Sequence, residues 1–294
     1  MRLLALLLRT RGQCYLLGTA NVRGCGLLPP WWFYRVGAWA ATPEVGDWGR
    51  RLNAVHPPDG SGDWGPLALF DRPLEGIIAR IARALRARDR VLATVLGFEG
   101  NESHDVILYE AESLALQLSG ALDVAAAATG LQLGLTTDQG KPLKPTALKL
   151  HRRDFTAAIR RQGAGITGAD LKRWRGPEEM LGLIRNRIHS APAVPVAGDD
   201  AVWFVLPKQD QTRFNARANK LGGMTAWGVK SATGPASALI DPWTLTEKSI
   251  AVVRDVLSEI ASKCLAQLPP ADVADEPWPW DPATGDSALS LLGL

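Results

Sequence analysis

Through the middle of the chain, apolar residues recur at helical intervals. Leu74, Ile77, Ile78, Ile81, Leu85, Leu92 and Val95 form one stripe, predicting a long helix that starts near Pro73, a residue favoured in a first turn. Ile107, Ala111, Leu114, Leu118, Ala121, Leu122 and Ala125 form a second stripe over about 103–129, with Gly130 as its stop. The turn residues Gly97 and Gly100-Asn101 between them predict an antiparallel helical hairpin. A third helix is predicted over 146–161, with Leu148, Phe155, Ala158 and Ile159 inward. Beyond Gly163 and Gly165, Asp170–Trp174 suggests one extra turn. Gly176-Pro177-Glu178-Glu179 then reads as a helix start, leading into Met180, Leu181, Ile184 and Ile188. The last helix opens on Thr244-Leu245-Thr246-Glu247, a sequence that fits a capping box. Ile250, Val253, Leu257, Ile260, Cys264 and Leu268 carry it to Pro269-Pro270.

Elsewhere the period changes or is lost. Residues 191–200 are a Pro/Ala/Gly linker, and Ala201–Leu206 is a continuous apolar run that reads as a buried strand. A short helix over 211–221 and a second strand over 224–230 complete a small β-containing insertion at about 201–240. Residues 1–66 hold no lasting periodicity. Pro29-Pro30-Trp31-Trp32-Phe33-Tyr34, Trp39, Trp48 and Trp64 lie there among glycines and prolines, and His56–Gly62 is loop-like. This stretch reads as a Trp-rich N-terminal extension whose tryptophans pack on the main domain or offer a stacking surface. The predicted fold is mainly α: an antiparallel helical bundle over 67–268, with a small α+β insertion between its last two long helices. Residues 269–294 form an acidic tail ending Leu-Ser-Leu-Leu-Gly-Leu, expected to be flexible or to dock on a partner.

Charge changes this picture more than composition does. The 46% hydrophobic and 21% charged fractions are ordinary for a globular protein. Within a net +3, however, residues 141–187 hold twelve Lys/Arg against four Asp/Glu, and residues 269–294 hold five acids and no base. Arg80, Arg83, Arg86 and Arg90 line one side of the first long helix. Lys149, Arg152, Arg153, Arg160 and Arg161 face outward on the third, and Arg187 follows later. Such rows are a solvated face or the footprint of a polyanion. Cys14, Cys25 and Cys264 have no metal-ligand spacing, so no metal or cofactor is predicted, and a reducing cytoplasm is the expected setting. The apolar run of six residues near Met1 is too short for a targeting signal or a membrane span.

Candidate chemistry concentrates at Arg185-Asn186-Arg187-Ile188-His189. Arg185 and His189 stand four apart, on one helical face, with Asn186 beside them. A fixed guanidinium, a carboxamide and an imidazole titrating near neutrality suit a phosphate. The same residues can also simply finish a helix, whose carboxyl end favours cations.

The helical hairpin, a helix ending in Arg-Asn-x-Ile-His and a final helix after a variable insert together resemble the HEPN superfamily over roughly residues 70–268. That resemblance implies a helical bundle, a homodimer, and a metal-independent endoribonuclease of toxin or antiviral type. In it Arg185, Asn186 and His189 would be catalytic. Three residues separate Arg185 from His189, fewer than the family pattern usually has. Members without activity imply the alternative of a silent module binding RNA, a nucleotide or a protein. A third reading is an interaction protein that docks through its tryptophans and acidic tail.

Overall fold

The computed structural model describes residues 6–10, 13–17, 30–55, 68–97, 101–163, 165–188, 193–196, 201–231 and 237–269. A short antiparallel hairpin, β1 (Leu6–Thr10) and β2 (Gln13–Leu17), comes first. The remainder is mainly helical, and its centre is the predicted hairpin of α3 (Ala68–Leu96) and α4 (Asn101–Gln132). Arg90 Nη1 meets Glu110 Oε1 at 2.7 Å, the Arg80 guanidinium lies against Gly120, and Gly76 faces Val124. Each step back along α3 thus matches an equal step forward along α4, so the two are antiparallel. The predicted stripes are the buried faces: Ile77, Ile78, Ile81 and Leu85 meet Ile107, Leu114, Leu118 and Leu122 in one core. α4 has the length and mean hydropathy of a membrane span, yet it is the bundle's core helix, with 56% of its most apolar window buried.

Gly130 does not stop α4. Leu148 packs so closely there that an added Cβ would stand 2.4 Å from a Leu148 methyl, so the glycine serves that approach. The helix ends two residues further on, before Gly134 turns left-handed at φ 58°.

Residues 30–55, expected within a Trp-rich N-terminal extension without lasting periodicity, form α1 (Pro30–Ala41) and α2 (Pro43–Val55). Val45, Trp48 and Leu52 are buried in the same core as the long hairpin. Trp48 Nε1 donates to Gln132 Oε1 at 2.6 Å, and Gln132 Nε2 donates to the Cys264 carbonyl at 2.9 Å, tying α2 to α4 and to the final helix. The helical spacing of Val45, Trp48 and Leu52 was masked by the glycines and prolines around it. The His56–Gly62 loop, Trp64, Cys25 and the tail beyond Pro269 lie outside the described residues.

The third predicted helix is shorter than its pattern suggested. Pro145–Ala147 is one 3₁₀ turn, and α5 spans Arg153–Gln162. Between them Leu148 and Leu150 are buried while Lys149 and His151 are not, in a turn closed by the Arg152 N–H donating to the Lys149 carbonyl at 3.0 Å. α6 (Gly168–Ile188) is longer than expected and carries Pro177 in its interior, so Gly176-Pro177 is not a helix start. Its real start is a capping box. Asp170 Oδ2 accepts from the Thr167 backbone N–H at 2.7 Å, and Thr167 Oγ1 accepts from the Asp170 N–H at 3.2 Å.

The insertion is a four-stranded antiparallel sheet in the order β3-β4-β6-β5, formed by β3 (Ala193–Val196), β4 (Ala201–Pro207), β5 (Val229–Ser231) and β6 (Ser237–Ile240). β3 falls in the expected linker. The strand expected over 224–230 is instead a 3₁₀ turn burying Trp227, then β5, because Gly228 turns left-handed at φ 73°. α7 (Lys208–Lys220) crosses between β4 and that turn. Phe204 of β4 and Ile240 of β6 join the main core.

α8 (Pro242–Leu265) begins ahead of the expected box. Asp241 is its N-cap, accepting the Thr244 N–H at 3.0 Å. Glu247 is thereby released from capping and pairs with the buried Arg88 of α3, 3.3 Å away. Arg88 also grips Asp89. Burial pushes the Asp89 carboxyl up against the pull of Arg88, and burial together with Asp89 pushes the Tyr34 hydroxyl to about 12. Cys264 lies in the core as expected, its thiol pushed by burial to about 12.

Burial alone would raise the Asp170 carboxyl. The two hydrogen bonds from Thr167 and the Lys263 ammonium outweigh it, lowering it from 3.8 to about 2. Its stabilising contribution is therefore full above pH 4 and lost as pH falls through about 2. Asp170→Ala is expected to cost about 1–2 kcal/mol in denaturant melts at pH 7, with the gap to wild type closing as pH approaches 2. A gap independent of pH would show that the carboxylate does not act through its charge.

Candidate nucleic-acid interface

α6 runs past two neighbours on two adjacent faces, and both contacts carry chemistry. On one face, Glu179, Gly182 and Leu183 stand opposite Arg213, Ala216, Arg217 and Lys220 of α7, lining an open cavity of about 680 Å³. The α7 residues recur at helical spacing and so point the same way. Gly182 leaves the floor open, with no atom within 4 Å of where a Cβ would stand. Glu179 is the cavity's acid. It pairs with Arg217 and, at 3.4 Å, with Arg175. Arg213 and Lys220 are exposed and have no acidic partner among the described residues. The cavity therefore carries surplus positive charge.

On the next face, α6 shows a stripe of Leu171, Trp174, Glu178 and Leu181, all buried, that emerges into solvent at Arg185. Glu178 is an acid in a core stripe. His151, in the turn that leads into α5, is hydrogen-bonded through Nδ1 to Glu178 Oε1. The two side chains differ sharply, with Glu178 8% and His151 43% exposed. Burial pushes the Glu178 carboxyl up, and His151 pulls it back. Lys149, two residues before His151, reaches Asp123 of α4 at 2.8 Å, which pins the approach segment to the bundle. Arg152 and Arg153 follow His151, exposed and without acidic partners among the described residues.

The predicted motif is only partly visible. Arg185 is exposed at the end of α6, with no acidic partner among the described residues. Asn186 and Arg187 lie on the last helical turn by backbone alone, and His189 lies outside the described residues. Of the predicted basic residues, Arg153, Arg160 and Arg161 are exposed on α5, and Arg161 is taken by Asp138. On α3, Arg83 and Arg86 are exposed, Arg80 lies against Gly120, and Arg90 is neutralised by the buried Glu110. The α3 row is thus weaker than its sequence suggested. Sequence reasoning missed the α7 cations because that helix was read only for its apolar phase. It missed Glu178 because Pro177 made it look like a first-turn acid. Its phase with Leu171, Trp174 and Leu181 was the available signal. Among the described residues no group of three or more His, Cys, Asp or Glu could hold a metal ion.

No family model, curated protein or solved structure matches this chain.

If the cavity holds a polyanion, the double variant Arg213→Ala/Lys220→Ala should weaken binding of a single-stranded oligoribonucleotide. It should also flatten the plot of log affinity against log salt by about 1.4, or about 0.7 per lost contact. An unchanged slope, measured by fluorescence anisotropy, would remove α7 from the interface.

Proposed function

We propose that the protein binds RNA along the carboxyl half of α6 and cuts it without a metal ion, as a HEPN-like endoribonuclease of a toxin or defence system. The observation that carries this reading is an exposed Arg185, without an acidic partner among the described residues, at the end of the helix that lines the cationic cavity and meets the His151 preceding Arg152 and Arg153. A guanidinium grips two phosphate oxygens at once and is suited to the charge that builds on them in the transition state. The chemistry is internal to the substrate: the 2′-hydroxyl attacks the adjacent phosphate, and His189 accepts its proton. Asn186 orients that imidazole or holds a phosphate oxygen. In this reading the protein acts in the cytoplasm as a homodimer, with two copies of the motif in one cleft.

Purified protein incubated with total RNA in excess chelator is expected to yield fragments with 2′,3′-cyclic phosphate ends. Arg185→Ala and His189→Ala should each slow cleavage by about 100-fold or more without lowering the melting temperature. RNA that is shifted on a gel but intact would mark a silent RNA-binding module instead. RNA neither shifted nor cut, with partner capture lost on removing residues 269–294, would mark an interaction protein.

A further inference from the structure

Surplus charge explains why the cavity between α6 and α7 would attract a strand, but it does not explain the cavity's shape. We infer that the cavity holds one nucleotide turned out of a single strand of RNA. Its base lies between Gly182 and Arg217, and the phosphates on either side of it are held by Arg213 and Lys220. This rests on the RNA-binding part of the reading above, independently of cleavage, and names what the cavity recognises.

The two helices form a wedge. They run antiparallel, because Glu179 pairs with Arg217 while Gly176, earlier on α6, meets Leu221, just past the end of α7. At Gly176 the wedge is shut, since an added Cβ would stand 3.1 Å from a Leu221 methyl. At Gly182, further along α6, nothing lies within 4 Å of that position. Every other described helical glycine has a neighbour within that distance. A glycine in a helix interior costs stability relative to alanine. Here neither close packing nor a left-handed φ calls for one. What Gly182 does is keep the wedge open. The space is about 680 Å³, the size of a small-molecule pocket and ample for one base with its ribose.

The α7 wall supplies the matching parts. Arg213 and Lys220 are seven residues apart on α7, two turns and about 10 Å along its axis. Ala216 and Arg217 lie between them. Successive phosphates of a strand straddle one nucleoside, and this wall likewise places a cation at each end of a flat middle. Glu179 is an acid in a cavity suited to anions, so its place needs a reason. It takes the Arg217 guanidinium. Guanidinium–carboxylate bonds are made in the guanidinium plane, so the pairing fixes Arg217 and leaves its faces free. Unstacked bases of single-stranded RNA settle on such planes. Leu183 and Ala216 add apolar surface beside them. A duplex, with its bases paired and stacked, has nothing to insert into the wedge.

Fluorescence anisotropy with the full chain tests this on two probes of equal length and charge. One is a 2′-O-methyl oligouridylate, and the other is the same backbone without bases. Wild type is expected to bind the base-bearing probe about tenfold or more tightly than the abasic one. Gly182→Leu fills the wedge, and Arg217→Lys keeps the charge but loses the plane. Each should remove most of that preference while leaving the salt slope as in wild type. Gly182→Leu should melt no lower than wild type, because leucine is the better helix former; if it does melt lower, Arg217→Lys decides by the same comparison. A wild type blind to the bases overturns the assignment and leaves RNA binding by charge standing. So does a preference that Arg217→Lys or a stably folded Gly182→Leu retains. Wild type that binds neither probe at low salt overturns the RNA-binding reading as well.

Discussion

The arrangement depends on α6 remaining one unbroken helix through Pro177. A proline in a helix interior removes one hydrogen bond and crowds the carbonyl a turn earlier, a cost of about 3 kcal/mol where nothing compensates. Here the helix is held on both sides of the proline. The Thr167–Asp170 box fixes its first turn, Arg173 reaches Asp170 and Glu259 of α8, and Leu171, Trp174, Met180, Leu181 and Ile184 are packed in the core. Continuity keeps Glu178, Glu179, Gly182 and Arg185 in fixed phase. A break at Gly176 would turn the cavity face and the His151 face out of register with each other.

The rest of the fold supplies rigid neighbours for that helix. α4 lies behind it and provides Asp123, which fixes Lys149 and with it the turn carrying His151. Leu148 and Leu150 nail the same segment into the core, one of them over Gly130. The sheet packs its β4 against α6 and α8 and holds α7 alongside α6, so the insertion supplies one wall of the cationic cavity. Loop residues positioned by packed elements are where binding chemistry is usually found. His151 fits that pattern, held by two buried leucines and a buried acid.

The sequence made the bundle legible where apolar spacing ran long and uninterrupted, as in the α3–α4 hairpin and the stripe from Ile250 to Cys264. It misled at glycines and prolines. Gly130, Gly176-Pro177 and the residues around Trp48 read as breaks, but tertiary packing overrode each one: Leu148 over Gly130, the capping box and core stripe around Pro177, and Trp48 bonded to Gln132. Capping sequences were ambiguous for a related reason. Thr244–Glu247 has the pattern of a box, but Asp241 caps α8 and Glu247 turns to Arg88. Arg185 could be singled out in the sequence as a cation near a helix end, and it stands exposed there. The two faces of α6 could not, because Arg213 and Lys220 come opposite Glu179, and His151 meets Glu178, only after the chain has folded.

Hydrogen exchange of the intact protein, with and without a chemically blocked oligoribonucleotide carrying 2′-O-methyl groups, tests most directly whether one strand lies across both faces of α6. The account predicts slowed exchange in two places at once, at residues 149–153 and along the α6 and α7 segments 182–188 and 211–220. Protection confined to the α3 face around Arg83 and Arg86, with none at either of those places, would contradict it.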